Sequence, residues 1–74
     1  MRKLNDYNKG DIFLDYVNNE YLIITGHIRY TDVYRCVVLT GVSENHEHKY
    51  IGERVVYLTD LNNEDLMYQV GGIY

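Results

Sequence analysis

In this 74-residue sequence, His46-Glu47-His48 is the first place where side chains could bind or react. On an extended chain, residues two apart project from one face, and paired imidazoles at that spacing serve metal ions. A third ligand would have to come from His27, Glu44 or Cys36, and no spacing ties any of these to the pair. The surrounding Gly41-to-His48 stretch is polar and reads as an exposed connection with solvated histidines. No metal site is expected there. The single cysteine, Cys36, excludes an intrachain disulfide and reads as a small apolar strand residue. Asp11, Asp15, Asp32, Asp60 and Asp65 fall at strand ends or turns, where aspartate serves the backbone. No nucleophile elbow, phosphate loop or dinucleotide glycine pattern occurs, and Gly71-Gly72 has no helix behind it. The expectation is a protein without catalytic residues and without a cofactor.

Two other side-chain sets point to binding. Arg29, Arg35 and Arg54 are interleaved with Tyr30, Tyr34 and Tyr50. On one face, such a set would stack bases or hold the phosphates of a small nucleotide. Eleven acidic residues against seven basic ones, a net charge of −4, argue against general affinity for nucleic acid. The second set is apolar. Nine tyrosines are many for so short a chain, and tyrosine suits interfaces because an apolar ring carries a polar tip. Three segments carry hydrophobic residues on both faces: Tyr21 and Ile23, Val37 and Leu39, Val55 and Tyr57. A small β domain buries one face of each strand, so the surplus predicts an exposed patch, and such patches mark interfaces. Tyr21, Ile23, Tyr50 and Tyr57 are the expected anchors.

The elements that must position these residues are β-strands. Ile12-Phe13-Leu14-Asp15-Tyr16 follows Gly10-Asp11, and Asn18-Asn19 is a turn signal. Residues 20–30 alternate, with Leu22, Ile24, Ile28 and Tyr30 inward and Gly26 marking a bulge or bend. Thr31-Asp32 turns the chain into residues 33–42, which pair with 20–30 as a central antiparallel hairpin. A two-residue and a three-residue loop select opposite faces for that strand. The three-residue loop is preferred, which turns Tyr34, Cys36 and Val38 inward. Residues 49–59 make a fourth strand with Gly52 as a second bend. Residues 60–65 make one helical turn with Asp60 as N-cap, and residues 66–70 close the fold. Residues 1–9 read as a polar lead-in that Leu4 and Tyr7 can dock, and residues 10–74 as one domain.

Gly10-Asp11-Ile12-Phe13 resembles the first strand of SH3-like barrels. Val55-Val56-Tyr57-Leu58-Thr59-Asp60-Leu61 running into Leu66-Met67-Tyr68 resembles their ending. The resemblance implies a mostly β fold, a small five-stranded barrel with one helical turn before the last strand. It carries no function. In size and composition (short, acidic, rich in Tyr, Asn and Ile, without Pro or Trp), the chain also resembles bacteriophage accessory proteins, many of which bind host proteins, defence components included. No apolar run of membrane-spanning length occurs, so a cytoplasmic location without membrane contact is expected. The reading is therefore a non-enzymatic protein-binding module that inhibits a host protein by occlusion or mimicry, with a homodimer as a further partner arrangement. Nucleic-acid or nucleotide binding through Arg29, Arg35 and Arg54 is the alternative. If the histidines hold no structural metal, a strong chelator leaves the thermal unfolding midpoint unchanged. A fall of several degrees on chelation would reverse that conclusion.

Overall fold

The computed structural model describes residues 7–40 and 49–71. Five antiparallel strands form one sheet: β1 (Ile12–Asp15), β2 (Glu20–His27), β3 (Val33–Thr40), β4 (Tyr50–Tyr57) and β5 (Met67–Gly71). One short helix, α1 (Leu58–Leu61), lies between β4 and β5. The order across the sheet is β4-β3-β2-β1-β5. Among the described residues β4 and β5 make no ladder with each other, so the sheet is open where a closed barrel was expected. Helix α1 packs against both of those edges instead.

The β1–β2 turn follows from its side chains. Asp15 accepts hydrogen bonds from the Asn18 backbone N–H and side-chain amide at 3.2 and 2.9 Å. Asn19 takes a φ of 54°, a region that Asn tolerates. Gly10 sits at φ 97°, where only glycine is unstrained, and its N–H donates to Ile24 O at 2.7 Å. Ile24 N–H in turn donates to Asp11 O at 2.9 Å.

Ladder register puts Phe13, Leu22 and Val38 side by side across three strands, next to Ile24 beside Cys36. These residues are 0–2% exposed and form the centre of the core. Tyr34, Cys36 and Val38 all face inward, as expected. The β2–β3 hairpin differs from expectation at its tip. Its register shifts between Ile24 and Gly26, so Thr25 is the extra residue of a bulge. The bulge reverses the alternation: Gly26 moves to the outer face, and His27 moves to the side of Tyr34. Its ring lies 4.7 Å from that of Tyr34. Ile28 is consequently only half-buried. Tyr30, expected inward, sits 95% exposed at φ 62° in a five-residue connection, residues 28–32. Thr31 holds that connection: its hydroxyl donates to Ile28 O at 2.7 Å and accepts from Val33 N–H at 3.1 Å.

Further bulges lie at Ile51 in β4 and Val70 in β5, where the registers shift again. The helical turn begins earlier than expected. Tyr57 occupies the N-cap position without a side-chain cap, and Asp60 lies inside the turn. What holds α1 is burial of Leu58 and Leu61, together with the Asn62 backbone and side-chain amides donating to Leu58 O. The lead-in docks through Tyr7, whose ring meets Phe13 edge-on at 4.8 Å and whose hydroxyl donates to Asn62 Oδ1 at 3.2 Å. Leu4 lies outside the described residues.

Leu22→Ala removes the middle of the buried row and is expected to cost about 2–5 kcal/mol. A domain of this size holds about 3–5 kcal/mol in all, so the variant should be largely unfolded. Tyr50→Ala, at an exposed position, should cost no more than about 1 kcal/mol, the value of one cross-strand pair. Urea titrations of both variants check the contrast.

Candidate docking face

The outer face of the sheet carries the residues singled out as anchors. Cross-strand register builds one row across all five strands: Tyr68, Leu14, Tyr21, Leu39 and Tyr50. Beside it runs a second row of Ile12, Ile23, Val37 and Glu53. Farther along, Arg35 stands opposite Val55, and Val33 opposite Tyr57. Tyr21, Ile23, Tyr50 and Tyr57 therefore share this face. Tyr21 and Ile23 are half-buried by their strand neighbours, whereas Tyr50 and Tyr57 are 62% and 59% exposed. Each directly opposed apolar pair contributes about 0.2–1 kcal/mol to the sheet, so this surface is also stiff.

At the β5 end, the Tyr68 ring packs 5.7 Å from that of Tyr16, whose hydroxyl donates to Glu64 O. Desolvation, then the negative charge of Asp65, holds the Tyr16 phenol above its ordinary value. Sequence reasoning missed the Tyr16–Tyr68 pair. Its only signal was the inward place of Met67, which turns Tyr68 outward.

The three arginines of the alternative site are not brought together. Arg35 is on the outer face. Arg29 lies in the hairpin connection, its guanidinium 5.5 Å from the ring centre of its neighbour Tyr30. Arg54 is on the inner side, opposite Cys36, with Nη1 3.1 Å from Glu20 Oε1 and 3.9 Å from Asp15 Oδ2. Tyr34 is in the core. An open depression of about 600 Å³ beside the Thr25 bulge is lined by Arg35, Arg54 and His27 but also by Glu53. Its mixed charge selects for no anion. The inward place of Arg54 was legible in principle, since it alternates in phase with Val56.

Asp11 and Asp15 serve the backbone. Asp11 is buried and accepts from Asn8 N–H at 2.8 Å, and buried Asp15 closes the Asn18 turn. Among the described residues no group of three or more His, Cys, Asp or Glu side chains could hold a metal ion. His46 and His48 lie outside the described residues. No helix among them is long and apolar enough to cross a membrane. The chain matches no protein-family model, and neither the curated proteins nor the solved structures give a match.

Cys36 is 0% exposed and donates its thiol proton to Arg54 O at 3.3 Å. Burial raises its pKa above the ordinary value of 9.0, with Arg54 pulling the other way. The unfolded thiol ionises first as pH rises. The stability this group contributes is therefore complete below the ordinary value and is lost as pH climbs from there through the raised value of the folded thiol. Two outcomes follow. At about pH 8, a thiol reagent should label native Cys36 only as fast as the protein opens. Between about pH 8 and pH 10, stability should fall less in Cys36→Ala than in the wild type. Rapid labelling of the folded protein would show that the thiol is accessible.

Proposed function

We propose that this chain is a non-enzymatic protein-binding module whose outer sheet face covers the surface of a partner protein. The observation that carries the reading is the row Tyr68, Leu14, Tyr21, Leu39 and Tyr50, running unbroken across the sheet. Tyrosine gives large rigid contact area at small entropic cost, and a stiff β face presents it without rearrangement. Tyr21 and Ile23 form the centre, with Tyr50 and Tyr57 towards one side. The net charge of −4 favours a basic partner and sets the preference at encounter. Binding of this kind acts by occlusion: a stiff surface covers a functional region of its target and needs no chemistry of its own.

The strand order, with β5 beside β1 and a helical turn leading into β5, supports reading the open sheet as an SH3-like barrel. The resemblance in size and composition to phage accessory proteins extends the proposal to a host protein, such as a defence component, in the host cytoplasm. The arginine-based alternative has less behind it, because Arg54 is already paired with Glu20 and Asp15.

The test is capture of host proteins from lysate by immobilised wild type and by Tyr21→Glu, which places a charge in the centre of the row. A protein retained by the wild type and lost, by at least about tenfold, with Tyr21→Glu supports the face. Equal capture by both refutes it. Oligonucleotide binding that weakens steeply with salt and survives Tyr21→Glu would favour the alternative.

A further inference from the structure

Strand β4 is the long open edge of the sheet: eight residues paired on one side only, against five in the opposite edge strand β5. Natural edges are usually blunted by proline, lysine or inward charge. β4 contains no proline or lysine, and its one inward charge, Arg54, is already paired with Glu20. Its bulge at Ile51 lies near one end, which leaves the stretch from Glu53 to Tyr57 regular. Its exposed side chains are apolar at Tyr50, Ile51, Val55 and Tyr57.

The direction of its backbone groups follows from one hydrogen bond. Leu58 N–H donates to Asp32 O at 2.7 Å, one step beyond the Val33–Tyr57 pair. Successive residues turn their peptide groups to opposite edges, and the register is unbroken from there to Gly52. Arg54, Val56 and Leu58 therefore address β3. Glu53, Val55 and Tyr57 turn their N–H and C=O groups to the open side. Among the described residues nothing pairs with that side.

We infer that β4 pairs antiparallel with β4 of a second copy of this chain, about a two-fold axis perpendicular to the sheet at Arg54. The axis keeps outer face with outer face, which requires each residue to meet one of its own phase. Charge chooses the register. An axis at Glu53 sets two carboxylates against each other. An axis at Val55 leaves Glu53 opposite Tyr57 of the second copy. With the axis at Arg54, Glu53 lies opposite Val55 of the second copy, and Ile51 opposite its Tyr57. Arg35, beside Val55, then reaches across that small side chain to Glu53 of the second copy, two strand spacings or about 9–10 Å away between Cα atoms. The contact occurs twice by symmetry. In the single chain neither Arg35 nor Glu53 has an ion-pair partner among the described residues. On the inner side the two Arg54 residues are also opposite each other, but unlike Glu53 each already has its guanidinium at Glu20 and Asp15 of its own chain, which offset the like charges. Ten strands then form one sheet, with the outer faces of both copies on the same side.

The edge contact is independent of the proposed use of the face, and the two separate by mutation. Sedimentation at about 100 µM should give a dimer for the wild type and for Tyr21→Glu, and a monomer for Val55→Lys. Val55→Pro is the second variant. It removes only a backbone donor that points away from β3, and it should also be monomeric with its circular dichroism unchanged. Glu53→Cys and Val55→Cys read the register: oxidation should cross-link a mixture of the two and neither alone. A monomeric wild type, a Val55→Lys dimer or cross-linking of either variant by itself overturns the inference. Loss of the dimer in Tyr21→Glu alone would move the contact to the face.

Discussion

Phe13, Leu22 and Val38 meet in register across β1, β2 and β3, and the remaining elements are arranged to keep water from that row. Burying large apolar side chains yields about 1.5–3 kcal/mol each, the only large favourable term open to a domain of this size without a disulfide. A single sheet has no second sheet to close over its inner face. Helix α1 does so with Leu58 and Leu61, Met67 does so from β5, and Tyr7 closes the remaining side by standing edge-on against Phe13. The three bulges serve the same end, since a flat sheet cannot wrap such a small core.

All the covering elements lie on one side. The outer face is therefore left to its own side chains. Its central residues shield one another partly, and its margins stay open at Tyr50, Val55 and Tyr57. Rigidity and exposure arise together here. The strands that hold the core are the same strands that present the tyrosine row, so the surface cannot deform without disturbing Leu22 or Val38.

Much of this was legible in the residues. The alternation of Glu20 to Ile24 and the Asn18-Asn19 turn follow from side-chain period and turn chemistry. Tyr34, Cys36 and Val38 face inward as expected, but through a five-residue connection and the Thr25 bulge, not the three-residue loop. Tyr21 and Ile23 share a face by the alternation of β2, but Tyr50 lies an odd number of residues from Tyr57 and joins its face only through the bulge at Ile51. The hairpin tip was not legible. One extra residue at Thr25 reverses the phase, and the bonds that stabilise it come from Gly10 and Asp11, far away in sequence. Asp60 has the composition of an N-cap, but burial of Leu58 started the helix three residues earlier, with Tyr57 at the cap position. The arginine set suggested one face because its members are interleaved with tyrosines. Alternation on a strand is what separates Arg35 from Arg54.

The position of β1 between β2 and β5 has a kinetic consequence. Strands β2, β3 and β4 follow one another in sequence and in space. The β1–β5 ladder joins Ile12 to Gly71. Closing so large a loop costs entropy before any contact repays it. The β2–β3–β4 meander is therefore the natural nucleus, and capture of β5 is the late step of folding. Until that step, the chain carries Phe13 and Met67 without their cover, and this interval is when it is most open to aggregation.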